Sequence, residues 1–320
     1  MFVLREMVEQ FLVRQRVFWG TAVICGLLAA CGGGDQVKNF EPVRVLSFGD
    51  ENSVITSSGQ NYSVNGLNAG KTAIDCGVNR IWNQILANSY GLSFPQCAGT
   101  ATVTNSRILA VPMAKVADVK TQIDQFLTTD RFGSSDLVSV LVGQNDLWAQ
   151  YALYNGSNEA TLIAAMEAAG ILYAEQVNRV ANAGARVIVS TIPDQSLTPF
   201  ALAQKAAFTD TDRAALIKRL MSAFHLKLRT TLINDGNRIG LVLADEMTQQ
   251  LVQFPASFSY SNVNAAACLS TAVLPNCTSA TLVTGADASA WLWSDATHLS
   301  AGGHSRLGEA ARSRATGNPF

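Results

Sequence analysis

Short runs of nearly uninterrupted apolar residues alternate along this chain with longer stretches in which apolar positions recur every three or four residues. Residues 43–48, 137–142, 185–190 and 239–244 form the first kind: brief, β-branched and almost wholly apolar, as strands buried on both faces of a parallel sheet are. Residues 81–90, 116–127, 159–183, 211–234 and 301–315 form the second kind and predict helices. In 211–234 the stripe Ile217, Leu220, Met221, Phe224, Leu228 and Leu232 follows the helical period, with Asp210 placed to cap it. Strand–helix alternation of this kind predicts a doubly wound α/β/α sandwich, whose ligands sit at the carboxyl ends of the strands. Residues 255–294, rich in Ser, Ala, Asn and Thr, read as a long excursion over that same edge.

The amino terminus follows a different pattern. Arg5, Arg14 and Arg16 precede an apolar run over 17–30, and Leu28-Ala29-Ala30-Cys31 closes it. A basic region, a short apolar region and small residues describe a secretory signal, and the run falls short of the about 20 residues a spanning helix needs. The closing residues resemble a lipobox, with cleavage before Cys31 and lipid attached to it. Gly32-Gly33-Gly34 then begins a flexible tether. The expected organisation is a signal over 1–30, a tether over 31–41 and one domain over 42–320. Localisation is expected in the bacterial envelope, by a lipid anchor in the outer membrane, with Gly32 after the lipidated cysteine pointing to that membrane.

Composition narrows the function classes. The whole chain carries 23 basic and 24 acidic residues, a balance that offers no electrostatic case for nucleic acid or an anionic membrane surface. Export also changes the reading of the six cysteines. Cys25 leaves with the signal and Cys31 carries lipid, so Cys76, Cys97, Cys268 and Cys277 remain, an even set for an oxidising compartment. Neighbours in sequence favour Cys76–Cys97 and Cys268–Cys277, although four cysteines allow three pairings. Without a Cys-x-x-Cys spacing or a nearby histidine, a zinc site is the weaker reading.

Candidate chemistry lies where strands end. Phe48-Gly49-Asp50-Glu51 follows the first apolar run, Gly143-Gln144-Asn145-Asp146 the second, and Asp295-Ala296-Thr297-His298 precedes the last helix. Each is a weak signal alone, since Gly-Asp is a common turn and Asn-Asp a common cap. Their joint order is stronger. With them come Ile81-Trp82-Asn83-Gln84-Ile85-Leu86-Ala87, Thr191-Ile192-Pro193-Asp194 followed by Leu197-Thr198-Pro199, and Asn262-Val263 leading to Cys268 and Cys277.

Together these segments resemble the SGNH (GDSL) hydrolases, in particular their exported lipase and esterase branch, over nearly all of residues 43–315. The resemblance implies a three-layer α/β/α sandwich with a mainly parallel, flavodoxin-like five-stranded sheet. It implies hydrolysis of carboxylic esters by a monomer acting on a small-molecule ester or lipid, with no cofactor or metal. In that mechanism a serine at the first strand end attacks, the histidine takes its proton and the aspartate orients the ring. An asparagine side chain, a glycine and a backbone N–H form the oxyanion hole. The resemblance assigns these roles to His298, Asp295 and Asn145, with Gly143 in the second strand-end block. For the remaining glycine, Thr104-Asn105-Ser106-Arg107-Ile108 occupies the expected place and contains none.

The nucleophile position departs from the pattern, because it holds Glu51. A carboxylate of pKa about 4.3 is a weak nucleophile toward an unactivated ester. If it faces His298, a hydrogen bond becomes an ion pair and the ring is held protonated, unable to act as a base. Three readings follow. Ser53 replaces the nucleophile, although two residues along a helical turn is about 200° around the axis. Or Glu51 serves as a general base on water, or as a nucleophile toward a more activated substrate. Or the pocket binds a ligand or an envelope partner without turnover, as a pseudoenzyme lipoprotein.

The remaining histidines and aromatics are read as follows. His225 and His304 are packing residues on helices, and Asp295, His298 and His304 match no standard metal-ligand spacing. Trp148, Tyr151, Tyr154, Trp291 and Trp293 stand near the two later blocks and are expected to wall the acyl or substrate pocket or, if exposed, to line a surface for a partner or glycan.

Overall fold

The computed structural model describes residues 40–99 and 104–317. The signal, the lipobox with Cys31 and the tether through residue 39 lie outside the described residues. Phe40 already belongs to the domain: its ring meets Tyr90 at 6.5 Å, and the Arg186 guanidinium lies 4.2 Å from its centroid.

Five strands form one parallel sheet: β1 (Arg44–Gly49), β2 (Arg107–Ile108), β3 (Asp136–Leu141), β4 (Arg186–Ser190) and β5 (Ile239–Val242), in the order β2-β1-β3-β4-β5. Alternate residues supply two cores. Leu46, Phe48, Val138, Val140, Val187 and Val189 face α2 (Val116–Thr129), α3 (Gln144–Ala152), α4 (Glu159–Asn182) and α6 (Arg213–Thr231). Val45, Leu137, Leu141 and Ile188 face α1 (Trp82–Asn88), α7 (Ala244–Gln253) and α8 (Ala301–Thr316). Burial on both faces is the physical reason the strand sequences lack polar–apolar alternation. The chain crosses from β1 to β2 on one side and then to β3 on the other. β1 and β3 therefore flank the point where strand order reverses, the usual crevice for a ligand in such sheets.

Several elements differ from the sequence expectation. The fifth strand is the two-residue β2, and three helices, α3, α5 (Pro199–Ala207) and α7, stand where no helix was expected. The run 239–244 splits, its last residue opening α7. The cap of α6 is Asp212, which accepts from Ala215 N at 3.0 Å, whereas Asp210 instead pairs with Arg213. The excursion over 255–294 contains a short parallel pair, β6 (Asn262–Ala266) and β7 (Trp291–Trp293), and its own small core around Ala267, Cys268 and Cys277. Both disulfides form between sequence neighbours, Cys76–Cys97 and Cys268–Cys277. Among the described residues no helix is long and apolar enough to cross a membrane.

Candidate active site

The end of β1 is shaped by close backbone approach. Gly49 has φ +127°, and a Cβ there would lie 1.9 Å from Leu141 O, so the position admits only glycine. Gln122 of α2 fastens this end by accepting from Gly49 N (3.0 Å) and donating to Gly49 O (2.9 Å). Asp50 then caps a single 3-10 turn over Glu51–Ser53 by accepting from Asn52 N at 3.1 Å. That turn carries Glu51 over the carboxyl end of the sheet, buried to 3 % exposure.

β3 ends in the same manner. Gly143 at φ +118° turns the chain into α3, where a Cβ would come within 2.5 Å of the Phe224 ring. Asn145 follows in the first turn of α3. Its amide nitrogen donates to Ala114 O (3.1 Å) and to Glu51 Oε2 (2.9 Å), so both of its protons are placed. A second donor to Glu51 Oε2 is the backbone N–H of Met113, at 2.8 Å. Met113 has φ +63°, a left-handed conformation uncommon for a side chain of this kind. This donor lies beyond β2 in the turn leading to α2, outside residues 104–108, where the resemblance looks for a glycine. Nothing in the sequence marks Met113, because the contributing group is a main-chain amide.

His298 completes the cluster. Asp295 accepts the backbone N–H groups of Thr297 and His298, both at 2.8 Å, and its two oxygens lie 3.0 and 2.9 Å from His298 Nδ1. His298 Nε2 points to Glu51 Oε1 at 3.3 Å. Burial disfavours a charged ring, but the hydrogen bonds and charges of Asp295 and Glu51 outweigh it and push His298 up to about 10. Both ring nitrogens accordingly carry protons at neutral pH, and Nε2–H donates to Glu51. For Glu51 the balance runs the other way. Burial pushes its carboxyl up, and His298, Asn145 and the residue's own backbone N–H bring it below the ordinary value. Asp50 is fully buried; burial and the adjacent Glu51 charge push it well above the carboxylate range, and its Oδ2 has no hydrogen-bond partner among the described residues.

The structure thus brings Glu51, Asn145, His298 and Asp295 together, with Gly143 as the turn that aims Asn145. Ser53 is not among them. Its hydroxyl is fully buried and accepts from Trp82 Nε1 at 3.1 Å. Three further neighbours, Tyr62, Asn52 and Gln195, had no sequence signal. Tyr62 lies close enough for Glu51, after burial, to raise its hydroxyl pKa. The amides of Asn52 and Gln195 both donate to Gln144 Oε1, at 3.4 Å, bracing the two strand ends.

The aromatic residues divide. Trp148 and Tyr151 meet Phe200 edge-on at 4.9 and 5.9 Å, and Phe200 N donates to Ala296 O at 3.0 Å, tying α5 to the His298 loop. Tyr154 stacks with Arg213. Trp293 is wholly buried and donates to Val263 O, and Trp291 packs on the small core of the excursion. His225 is a buried tie: Nε2 accepts from Ile192 N (3.0 Å), while Nδ1 meets Asp245 (3.0 Å). His304 is fully buried and pushed down to about 3, hence neutral. The described residues hold no group of three or more His, Cys, Asp or Glu side chains arranged for a metal ion.

A parallel five-stranded sheet between helical layers, with these residues at its switch point, is a three-layer α/β/α sandwich of the SGNH type. The likeness is structural. A lipase from a goat rumen metagenome superposes with a TM-score of 0.50 at 10 % identity, covering 85 % of this chain and 97 % of that one. An acetylxylan esterase from Geobacillus stearothermophilus gives 0.45 at 13 % identity, with 88 % and 96 % covered. A lipolytic G-D-S-L protein from Veillonella parvula gives 0.38 at 9 %, with 84 % and 95 % covered. The fold assignment rests on the first of these. No family model and no curated protein sequence matches the chain.

Proposed function

We propose that this protein is an ester-hydrolase scaffold converted to binding without turnover, carried on an exported lipoprotein anchored through Cys31. One observation carries the reading. The Glu51 carboxylate takes the donors that an esterase would offer to a developing oxyanion, Met113 N–H, Asn145 Nδ2 and its own backbone N–H, and also pairs with His298. The side chain therefore lies where the carboxylate product of ester cleavage would lie, occupying the hole from within. A substrate carbonyl has no free donor there. A protonated His298 has no lone pair with which to accept a nucleophile's proton. Activation of water by Glu51 is disfavoured for the same reason, since both of its oxygens are held by donors. The ligand in view is a small-molecule ester or lipid, bound at this strand edge.

The test is a set of variants on short-chain aryl esters: wild type, Glu51→Ser, Ser53→Ala and Glu51→Ser with His298→Ala. Glu51→Ser frees the hole, leaves Asp295 as the one carboxylate raising His298, which brings the ring down from its present value, and supplies a hydroxyl. It is expected to exceed wild type by at least about a hundredfold, to react with a fluorophosphonate that leaves wild type unlabelled, and to lose both properties when His298 is also replaced. Ser53→Ala is expected to match wild type. Activity in Glu51→Ser no higher than in wild type would overturn the reading, as would wild-type turnover abolished by Ser53→Ala.

A further inference from the structure

A second cleft, of about 630 Å³, opens beside the start of α1 and the start of α8, and shares no lining residue with the Glu51 cluster. Its volume lies in the range of small-molecule sites. Arg80 and Arg306 both line it, and no Asp or Glu does. That is unusual within this molecule, where Arg44, Arg179, Arg219 and Arg229 sit on carboxylates. Among the described residues Arg80 makes no ion pair and Arg306 pairs with no carboxylate, donating to Phe258 O at 3.0 Å and lying 5.5 Å from that ring. Two planar guanidinium groups without a counter-charge on a common wall offer the forked donors that match a carboxylate or phosphate.

Two further observations point to an occupant. Tyr260, lining the cleft beside Arg306, is 6 % exposed, and apart from the neighbouring Arg306 guanidinium its hydroxyl finds no hydrogen-bond partner among the described residues, a state buried polar groups rarely keep. Asn79 and Ser259 hold left-handed backbone at φ +52° and +64°; they are two of the four non-glycine residues among those described that do so, and both line this cleft. Backbone held in such conformations gathers at ligand clamps. The amino-terminal end of α8, a sixteen-residue helix, adds its positive pole through Ala301 and Gly302. Phe258 and Ile85 supply apolar surface, which suits an anion carried on an organic body better than a bare ion.

We propose that this cleft is a second ligand site, taking a small organic anion whose carboxylate or phosphate group is held by Arg80 and Arg306. It stands independently of the reading of Glu51. Calorimetric titration of the full chain at low salt with phenyl phosphate, benzoate and inorganic phosphate tests it. At least one of the two aryl anions is expected to bind saturably and more tightly than inorganic phosphate. Arg80→Gln and Arg306→Gln are each expected to weaken that binding about tenfold or more. Arg306→Lys, which keeps the charge and loses the fork, is expected to fall between them and wild type. Arg131→Gln, an exposed guanidinium outside the cleft, is expected to change nothing. Both arginines of the cleft are exposed, so their replacement leaves the fold intact. The proposal is overturned if neither aryl anion binds saturably, if binding survives both glutamine substitutions, or if Arg131→Gln weakens it equally. Equal affinity for inorganic and phenyl phosphate would overturn the organic body.

Discussion

At position 51 a glutamate differs from a serine in reach as much as in charge. The longer side chain carries its carboxylate beyond the strand end and onto Met113 N–H, Asn145 Nδ2 and His298 Nε2 together. Those contacts set two opposite displacements. His298 is raised in the folded chain to about 10 against an unfolded value of about 6.5, so its linked stability is complete below about pH 6.5 and is lost as pH climbs toward 10. Glu51 is lowered, so its contribution is present above its unfolded value of about 4.3 and is lost as pH falls through the folded one. The ion pair is therefore most supportive from mildly acidic to neutral pH. Proton NMR titration of the His298 ring checks the larger displacement: wild type should titrate near 10, and Glu51→Gln, which keeps the shape and removes the charge, should titrate lower. A wild-type midpoint near the ordinary histidine value would remove the physical basis for an unreactive ring.

At the scale of elements, the site depends on two strands being ended abruptly and side by side. Gly49 does this for β1 against a main-chain obstacle, Leu141 O, which cannot yield; Gly143 does it for β3 against the edge of the Phe224 ring, which can shift. Gly49→Ala is thus expected to cost about 3 kcal/mol or more and to cost more than Gly143→Ala, as read from denaturant midpoints. Equal costs would show that the backbone contact is less rigid than the geometry implies. The same elements explain what the sequence disclosed. Strands β1, β3 and β4 were legible because burial on both faces leaves no polar interruption, and α4 and α6 because they are long enough to show a period. Helices α3, α5 and α7 were not, since each is short and opens in residues such as Gln144-Asn145-Asp146 or Pro199 that read equally well as turns. β2 is two residues long and half exposed, too little for any pattern. Asp212 displaced Asp210 as the cap because the polar stretch before α6 contains both. In the site, Glu51, Asn145, Asp295 and His298 could be read as side-chain chemistry, whereas Met113 acts through its main chain and Tyr62 through proximity alone.

At the scale of the whole molecule, the two disulfides bear on where the chain works. Cys76–Cys97 pins the loop before α1, and Cys268–Cys277 pins the excursion that leads to the His298 loop. Closing loops with sequence separations of 21 and 9 restricts the unfolded chain by about 3 kcal/mol each on the entropic account. Such bonds persist outside a reducing cytosol. That agrees with the basic and apolar pattern of residues 1–30 and with the proposal of Cys31 as a lipid carrier; on that proposal anchoring is separate from folding, since the disulfides and the cores that hold the domain together lie in other residues. Cys31→Ala should therefore move the protein from the membrane fraction to the soluble fraction of the envelope while leaving both disulfides and the unfolding midpoint unchanged. Fractionation followed by thiol alkylation reads both quantities. Retention of Cys31→Ala in the membrane fraction would refute the lipid anchor, and free thiols in the exported wild-type protein would refute the oxidising compartment.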